Sequence, residues 1–405
     1  MASVILCSEL GRGTGHLTKL ADYAVELEAQ GYSVRLVTHD MHAAHLVPEF
    51  VDIAMFQAPR ASEALAESLS VANLVSTNPM NFASVLKHNG YQSVSTLAPL
   101  VRGWLHLHAT LKADVVVADH APTAILAAKL LNIPSIMTGN GFCVPPLLNP
   151  LASICPWKDI PDSSLKLEDE LLTHTINDTI RELGFSGVQL ECAREAFSHA
   201  AQWIFSVPEM DHYGAREQPY VMRWYNSSPR LMPQWPYSKG EKIFLSMSVD
   251  SPYLNMVLEQ LHLLQQPVLA TVSGASDGLI ERYKDSTIKL QRETVDLKQV
   301  VDECNIVINT GEHDVVFELL SYGVPSIILP SEPDQLMVAF QLMQQGLAFV
   351  GQESAEHLDI SSMISMLKEQ DQVWMNCSSL QMKYESHDSL YRLHDLIKAE
   401  LVANG

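Results

Sequence analysis

Basic residues are scarce: Lys and Arg number 26 against 47 Asp and Glu in 405 residues, giving a formal net charge of −21. Nucleic-acid backbones select clustered Lys and Arg, and the few basic residues here are scattered, so no nucleic-acid partner is expected. Cysteine spacing is equally uninformative for metals. Cys7, Cys143, Cys155, Cys192, Cys304 and Cys377 lie far apart with no CxxC pair, which argues against a zinc ribbon or a disulfide framework. They read as reduced, mostly buried thiols, and no metal site is expected. No apolar run approaches the ~18–20 residues that cross a bilayer. The opening Met1-Ala-Ser-Val-Ile-Leu-Cys-Ser has no positive n-region and reads as a strand rather than a signal peptide. These absences predict a soluble, cytoplasmic, acidic protein.

What is present is apolar material in quantity. At 47% hydrophobic residues the chain can build two globular domains with real cores. Val4-Ile-Leu-Cys7 is a short apolar run that ends at Gly11-Arg-Gly-Thr-Gly15. Leu17, Leu20, Ala21, Ala24, Val25 and Leu27 then follow at helical spacing, Gly31 closes the helix, and Ser33-Val-Arg-Leu-Val-Thr38 reads as the next strand. Strand, tight turn, helix, strand is a crossover unit of a parallel sheet. The rhythm recurs at 114–118, 123–131 and 134–138, and again at 242–246, 267–272, 305–309 and 325–329.

Between the two series, residues 208–240 carry Pro208, Pro219, Pro229, Pro233 and Pro236, the composition of a linker. The expected class is α/β, two Rossmann-like parallel-sheet domains facing across a cleft. The expected division is 1–215, a linker 216–240, 241–380, and a C-terminal helix in 381–405 that packs back on either domain. Residues 60–112, helical in pattern, and the proline-rich 142–161 interrupt the rhythm and read either as packing and surface loop or as the wall of a binding site.

Three constellations carry chemistry. Gly11-Arg12-Gly13-Thr14-Gly15-His16 joins a strand to a helix, where free backbone N–H groups and the positive dipole end suit an anion. A dinucleotide fingerprint would require Gly at His16, so that reading is the weaker fit, although Asp40 stands at the distance of an acidic ribose ligand. An imidazole at this point is a candidate general base. Asp119 ends the apolar run 114–118 and either supports His16 or caps the helix after Pro122; its neighbour His120 is expected to face elsewhere. The third is Asn309-Thr-Gly-Glu-His-Asp-Val-Val-Phe-Glu318, leading through Gly323-Val-Pro325 and Pro330 to Asp334-Gln335.

With these motifs in order on both halves, the chain resembles the GT-B glycosyltransferases, in particular the family 1 type of bacterial macrolide and flavonoid glycosyltransferases. Gly15-His16, Gly31-Tyr-Ser-Val34 and Asp119 match the family's first half, and 142–161 looks like its acceptor loop. Glu318, Gly323-Val-Pro325, Pro330 and Asp334-Gln335 match its donor signature. The resemblance implies an inverting transfer of a sugar from a UDP- or dTDP-linked donor to a hydroxyl of a small, lipophilic acceptor. No cofactor beyond that co-substrate is implied. His16 backed by Asp119 would be the base, and the helix N-terminus at Gly311 to Asp314 (Gly311, Glu312, His313 and Asp314) would receive the pyrophosphate, with Thr310 before it in the donor set. Glu318 would bond the ribose, Asp334 and Gln335 the sugar, and Arg292 to Val295 would cradle the base. Gly13, Gly15 and Ser246 complete the donor set. Phe82, Trp104, Phe142 and Trp157 hint at an apolar or aromatic acceptor.

The sequence also departs from the pattern. The family's His-Gly-Gly becomes Thr310-Gly311-Glu312, and its phosphate-binding Ser/Thr becomes Val315, which places a carboxylate where a pyrophosphate would lie. This supports an alternative: a catalytically degenerate GT-B paralogue acting as an accessory or binding protein. Oligomeric state is silent in the sequence.

Overall fold

The computed structural model describes residues 2–403 apart from 11–14, 61–78, 215, 218–219, 221–229, 237–238, 352–357 and 386–392. The chain forms two units, one of residues 1–228 with 389–405 and one of residues 229–388.

Unit 1 holds β1 (Ser3–Ser8), β2 (Ser33–Thr38), β3 (Ala54–Gln57), β4 (Val115–Asp119), β5 (Ser135–Gly139) and β6 (Ala201–Ile204), all parallel and ordered β3-β2-β1-β4-β5-β6. Both faces of this sheet are covered. Ile5, Cys7, Val116, Ala118 and Met137 pack into one core with helices Val94–Thr110, Pro122–Leu130 and Asp162–Glu182. Val4, Leu6, Val115, Val117 and Ile136 alternate into the other, under helix Gly15–Ala29. Two-sided burial is why the inner strands read as continuous apolar runs rather than as an alternation. Leu396 and Ile397 of helix Leu393–Ala403 join that second core. The start of the terminal helix expected in 381–405 belongs instead to unit 2, where residues 381–385 end helix Asp371–Glu385.

Unit 2 repeats the plan with β7 (Ile243–Ser248), β8 (Val268–Ser273), β9 (Ile288–Gln291), β10 (Ile306–Asn309), β11 (Ser326–Ile328) and β12 (Ala348–Val350), parallel and ordered β12-β11-β10-β7-β8-β9. Each sheet changes winding direction once, beside β1 and β4 in unit 1 and beside β7 and β10 in unit 2. In open α/β sheets, ligands bind at the carboxyl ends of strands at such a point.

The stretch 216–240, expected as a linker, is built into the units at both ends. Arg216 and Tyr220 bond to Asp211 in unit 1, while Leu231 pairs with Val295 and Trp235 packs into the core of unit 2. All six cysteines are free thiols and five are buried. Among the described residues no helix is long and apolar enough to cross a membrane.

Candidate active site

The switch point of unit 1 collects ionisable groups. Asp119 is the last residue of β4, level with Ser8 of β1 and Thr138 of β5. His16 is the second residue of helix Gly15–Ala29, which follows β1. The crossover therefore delivers both side chains to one sheet end, and His16 Nδ1 lies 3.0 Å from Asp119 Oδ1. Asp119 is 1% exposed and the His16 side chain 20%. Burial alone would raise the Asp119 pKa. The charge and hydrogen bond of His16, then Lys19 and His120, outweigh it and hold the carboxyl below its ordinary value. An ionised Asp119 accepts the Nδ1 proton, which puts the lone pair of a neutral His16 on Nε2 and stabilises the imidazolium once a second proton arrives.

Asp119 is not the cap of the following helix. Helix Pro122–Leu130 begins with Pro at its first position and has no side-chain cap from Ala121. Glu9 fills that role from the end of β1, where its Oε2 accepts the Thr123 N–H at 2.9 Å. Burial raises the Glu9 pKa to about 7, and the hydrogen bonds it accepts, Thr123 first, offset only part of that cost.

A folded pKa above the unfolded one favours the folded state at low pH and loses that advantage as pH rises through the folded value. Between pH 4.5 and 7 this group withdraws at most about 3 kcal/mol of stability, by linkage. Glu9→Gln keeps the acceptor oxygen and removes the titration. Denaturant titrations across that range should show a flatter stability profile for the variant than for the wild type. Parallel profiles would mean that Glu9 titrates normally.

His120 does not face elsewhere. Its backbone adopts φ +51°, in the left-handed region, so the chain leaves strand geometry immediately after Asp119. The turn brings its ring centroid to 5.9 Å from that of His16 and 5.2 Å, edge-on, from that of Phe142. Burial, then the His16 charge, lowers the His120 pKa to about 3, so it is neutral. Its Nε2 is buried with no hydrogen-bond partner among the described residues. Such a group is costly to leave unmade, and it is found here beside the dyad.

The loop after β5 forms the next wall. Asn140 Oδ1 accepts the N–H groups of Phe142 and Cys143, both at 3.1 Å. Gly139 has φ +134°, and a Cβ there would stand 2.6 Å from Cys143 Cβ and 2.9 Å from Asp119 Oδ1. Only glycine lets the loop fold this close to the carboxylate. The loop is pinned from behind by Arg216, which donates to the Val144 carbonyl at 2.6 Å and pairs with buried Asp211 at 2.7 Å.

The four aromatic acceptor candidates separate. Phe142 is partly exposed, and its ring meets Phe82 edge-on at 6.5 Å. Phe82 is fully buried and backs Phe142 and His120 from the core. Trp104 is also fully buried, packed on His108, and presents no surface to a ligand. Trp157 is partly exposed in the proline-rich loop.

In unit 2, Ser246 lies level with Asn309 across the switch-point strands β7 and β10. Thr310 is buried, and Asn309 Oδ1 accepts the Gly311 N–H at 2.8 Å. Gly311 has φ +89°, and a Cβ there would stand 2.8 Å from Ile328 Cγ2 and 3.3 Å from the Gln335 carbonyl oxygen. Glu312 is the N-cap residue of helix His313–Ser321 and makes no side-chain cap bond, so its carboxylate does not occupy the helix N–H groups. Glu312 is solvent-exposed as a residue, yet the protein crowded around its carboxyl, then Asp314 and Asp334, raises its pKa. His313 stacks on Phe317 at 6.0 Å and lies 3.4 Å from Asp314.

The remaining donor candidates are engaged. Glu318 Oε2 accepts from Arg230 at 2.6 Å, and Oε1 accepts from the Tyr322 hydroxyl at 3.4 Å. Gln335 Oε1 accepts from Ser331 and Glu332 N–H, which leaves its Nε2 as the group with protons to offer. Asp334 sits in the first turn of helix Pro333–Gln344. Arg292 is held by the Ala275 carbonyl and by Asp277, and Val295 is buried. Gly15 opens its helix, and Gly13 lies outside the described residues.

By sequence the chain matches no protein-family model and no curated protein. Its structure does resemble solved ones. It is similar to the glycosyltransferase of kitacinnamycin, at 16% identity and a TM-score of 0.65 over 99% of both chains. It is similar to the glycosyltransferase VinC in complex with dTDP, at 15% identity and a TM-score of 0.66 over 99% of both chains. A third match is the spinosyn rhamnosyltransferase SpnG, at 15% identity and a TM-score of 0.63 over 95% of this chain and 96% of that one.

The fold is GT-B.

Within the GT-B frame, several groups at or behind the site escape a reading of the sequence alone. Glu9 had a usable signal, since it follows an apolar strand as Asp119 does. His120 had none, because its position depends on a single left-handed residue. Arg216 and Arg230 sit in a proline-rich stretch whose composition hides their buried partners Asp211 and Glu318.

Proposed function

We propose that this GT-B chain is an inverting glycosyltransferase that moves a sugar from a nucleotide-diphosphate sugar to a hydroxyl of a small lipophilic acceptor. The observation that carries the reading is the His16–Asp119 pair at the carboxyl end of β4, with 3.0 Å between Nδ1 and Oδ1. Natural-product glycosyltransferases among the similar structures, one of them with dTDP bound, support the same class.

In this mechanism His16 Nε2 takes the acceptor hydroxyl proton as the oxygen attacks the anomeric carbon. The bond from that carbon to the diphosphate oxygen breaks on the opposite side, which inverts the centre in one displacement. Asp119 stabilises the imidazolium formed. Unit 1 is the acceptor half, with Phe142 as an apolar wall. Unit 2 is the donor half. The N–H groups that open helix His313–Ser321 meet the diphosphate, Glu318 shares its carboxylate between Arg230 and a ribose hydroxyl, and Asp334 and Gln335 hold the sugar.

A second reading has its own observation. Glu312, Asp314 and Asp334 act on the helix end that would receive the diphosphate, where desolvation first, then the charges of Asp314 and Asp334, raise the Glu312 pKa. A chain that had lost donor binding would serve as an accessory protein of the same fold. Nucleotide stabilisation separates the two. UDP or dTDP at 100 times its dissociation constant should add ~2.7 kcal/mol to stability, visible as a raised Tm. If UDP, dTDP and GDP all leave the Tm unchanged, the transferase reading falls and the accessory one stands.

A further inference from the structure

Beside His16, the switch point of unit 1 holds two side chains, His120 and Cys143, that sugar transfer does not call for. His16, His120 and Cys143 each offer one ligand atom, and these atoms all lie within 4.8 Å of one another. Three features make this more than proximity. His120 is 7% exposed and its Nε2 is buried with no hydrogen-bond partner among the described residues. Cys143 is 2% exposed and is drawn against the sheet end by Gly139, where a Cβ would stand 3.3 Å from its Sγ. Asp119 accepts from His16 Nδ1, the second-sphere carboxylate that orients a ligating imidazole and fixes its lone pair on Nε2.

We infer that His16, His120 and Cys143 form a binding site for a thiophilic divalent cation of the zinc class, which silences the chain by occupying His16. Two imidazoles and one thiolate with a fourth position open suit zinc, and hard cations such as magnesium do not select this donor set. In a tetrahedral zinc site, ligand atoms stand about 3.3 to 3.8 Å apart, so even the widest pair has no more than about 1.5 Å to close when the ion enters. Binding exchanges one proton: the Cys143 S–H bond breaks, an S–metal bond forms, and the proton leaves to solvent. Neither imidazole loses a proton, because each coordinates through its lone pair. The silencing rests on the proposed role of His16 as the base, since a coordinated Nε2 has no lone pair for the acceptor proton. The site itself rests only on the geometry.

Cobalt(II) reports on such a site whatever the chain catalyses. The full chain, stripped with a chelator and titrated with cobalt, should develop thiolate-to-metal charge-transfer absorption that saturates at one equivalent and is displaced by zinc. Cys143→Ala and Cys143→Ser should both lose the charge-transfer band, with circular dichroism verifying that each is folded. His120→Gln should weaken cobalt binding by at least ~10-fold. A wild-type chain without the band, or folded Cys143 variants that keep it, overturns the site. In a transfer assay, one equivalent of zinc should abolish activity and EDTA should restore it. A cobalt band with zinc-insensitive transfer would leave the site standing and overturn the silencing. A band in a chain that transfers no sugar but still gains Tm with dTDP would leave the site standing and overturn the transferase.

Discussion

Replacing His16 with Ala lowers sugar transfer by ~10²- to 10⁴-fold, the range a positioned general base contributes, and leaves nucleotide stabilisation intact. The loss falls on kcat, because the imidazole meets the acceptor oxygen only as its proton moves. Single-turnover rates with a dTDP- or UDP-sugar and a phenolic or polyketide hydroxyl acceptor measure it. Asp119→Asn should follow in the same direction with a smaller loss. An amide can present its N–H to Nδ1, which selects the wrong tautomer, and it offers no charge to the imidazolium. If His16→Ala removes the nucleotide-induced rise in Tm as well, His16 belongs to the donor site or to the fold. If it leaves both transfer and Tm unchanged, the dyad is not the catalytic pair.

How much of this was legible in the sequence follows the physics of burial. Strands β1, β2, β4, β5, β7, β8, β10 and β11 are written as apolar runs because they are covered on both faces. The outer strands β3, β6, β9 and β12 carry partly exposed residues such as Phe56, Gln202, Lys289 and Val350, and the short apolar runs at 53–56 and 347–350 do not stand out from the apolar stretches of helices. His16 and Asp119 were readable because a crossover unit fixes where a strand ends and a helix begins, and both residues occupy such ends. The surroundings of the pair were not, because they depend on contacts distant in sequence. Trp104 shows the same limit from the other side: an aromatic residue suggests a ligand wall, and the fold turns this one wholly into the core.

The largest stability effect is expected at Arg216. The residue is 5% exposed and its partner Asp211 fully buried, with Arg216 Nε 2.8 Å from Asp211 Oδ2. The Tyr220 hydroxyl donates to the same oxygen at 2.8 Å, and the Tyr213 N–H donates to Oδ1 at 3.0 Å. Arg216→Met keeps most of the apolar stem and removes the charge, which leaves the Asp211 carboxylate buried beside neutral donors. Breaking a buried pair from one side costs ~3–5 kcal/mol. For a unit of this size each kcal/mol moves Tm by ~2–4 °C, so the fall should be on the order of 10 °C by scanning calorimetry. Asp211→Asn in the Arg216→Met background should recover part of that loss, because an amide needs no counter-charge. A fall below about 2 °C would show that solvent reaches the carboxylate. The variant also frees the Val144 carbonyl, which Arg216 holds, and with it the turn that carries Phe142 and Cys143. Acceptor KM should therefore rise while the dTDP-induced Tm shift persists, since no residue of the proposed donor set in unit 2 is touched. Both outcomes follow from one geometry, in which Arg216, from a stretch with the composition of a linker, ties the wall of the proposed acceptor site to the buried Asp211 of unit 1.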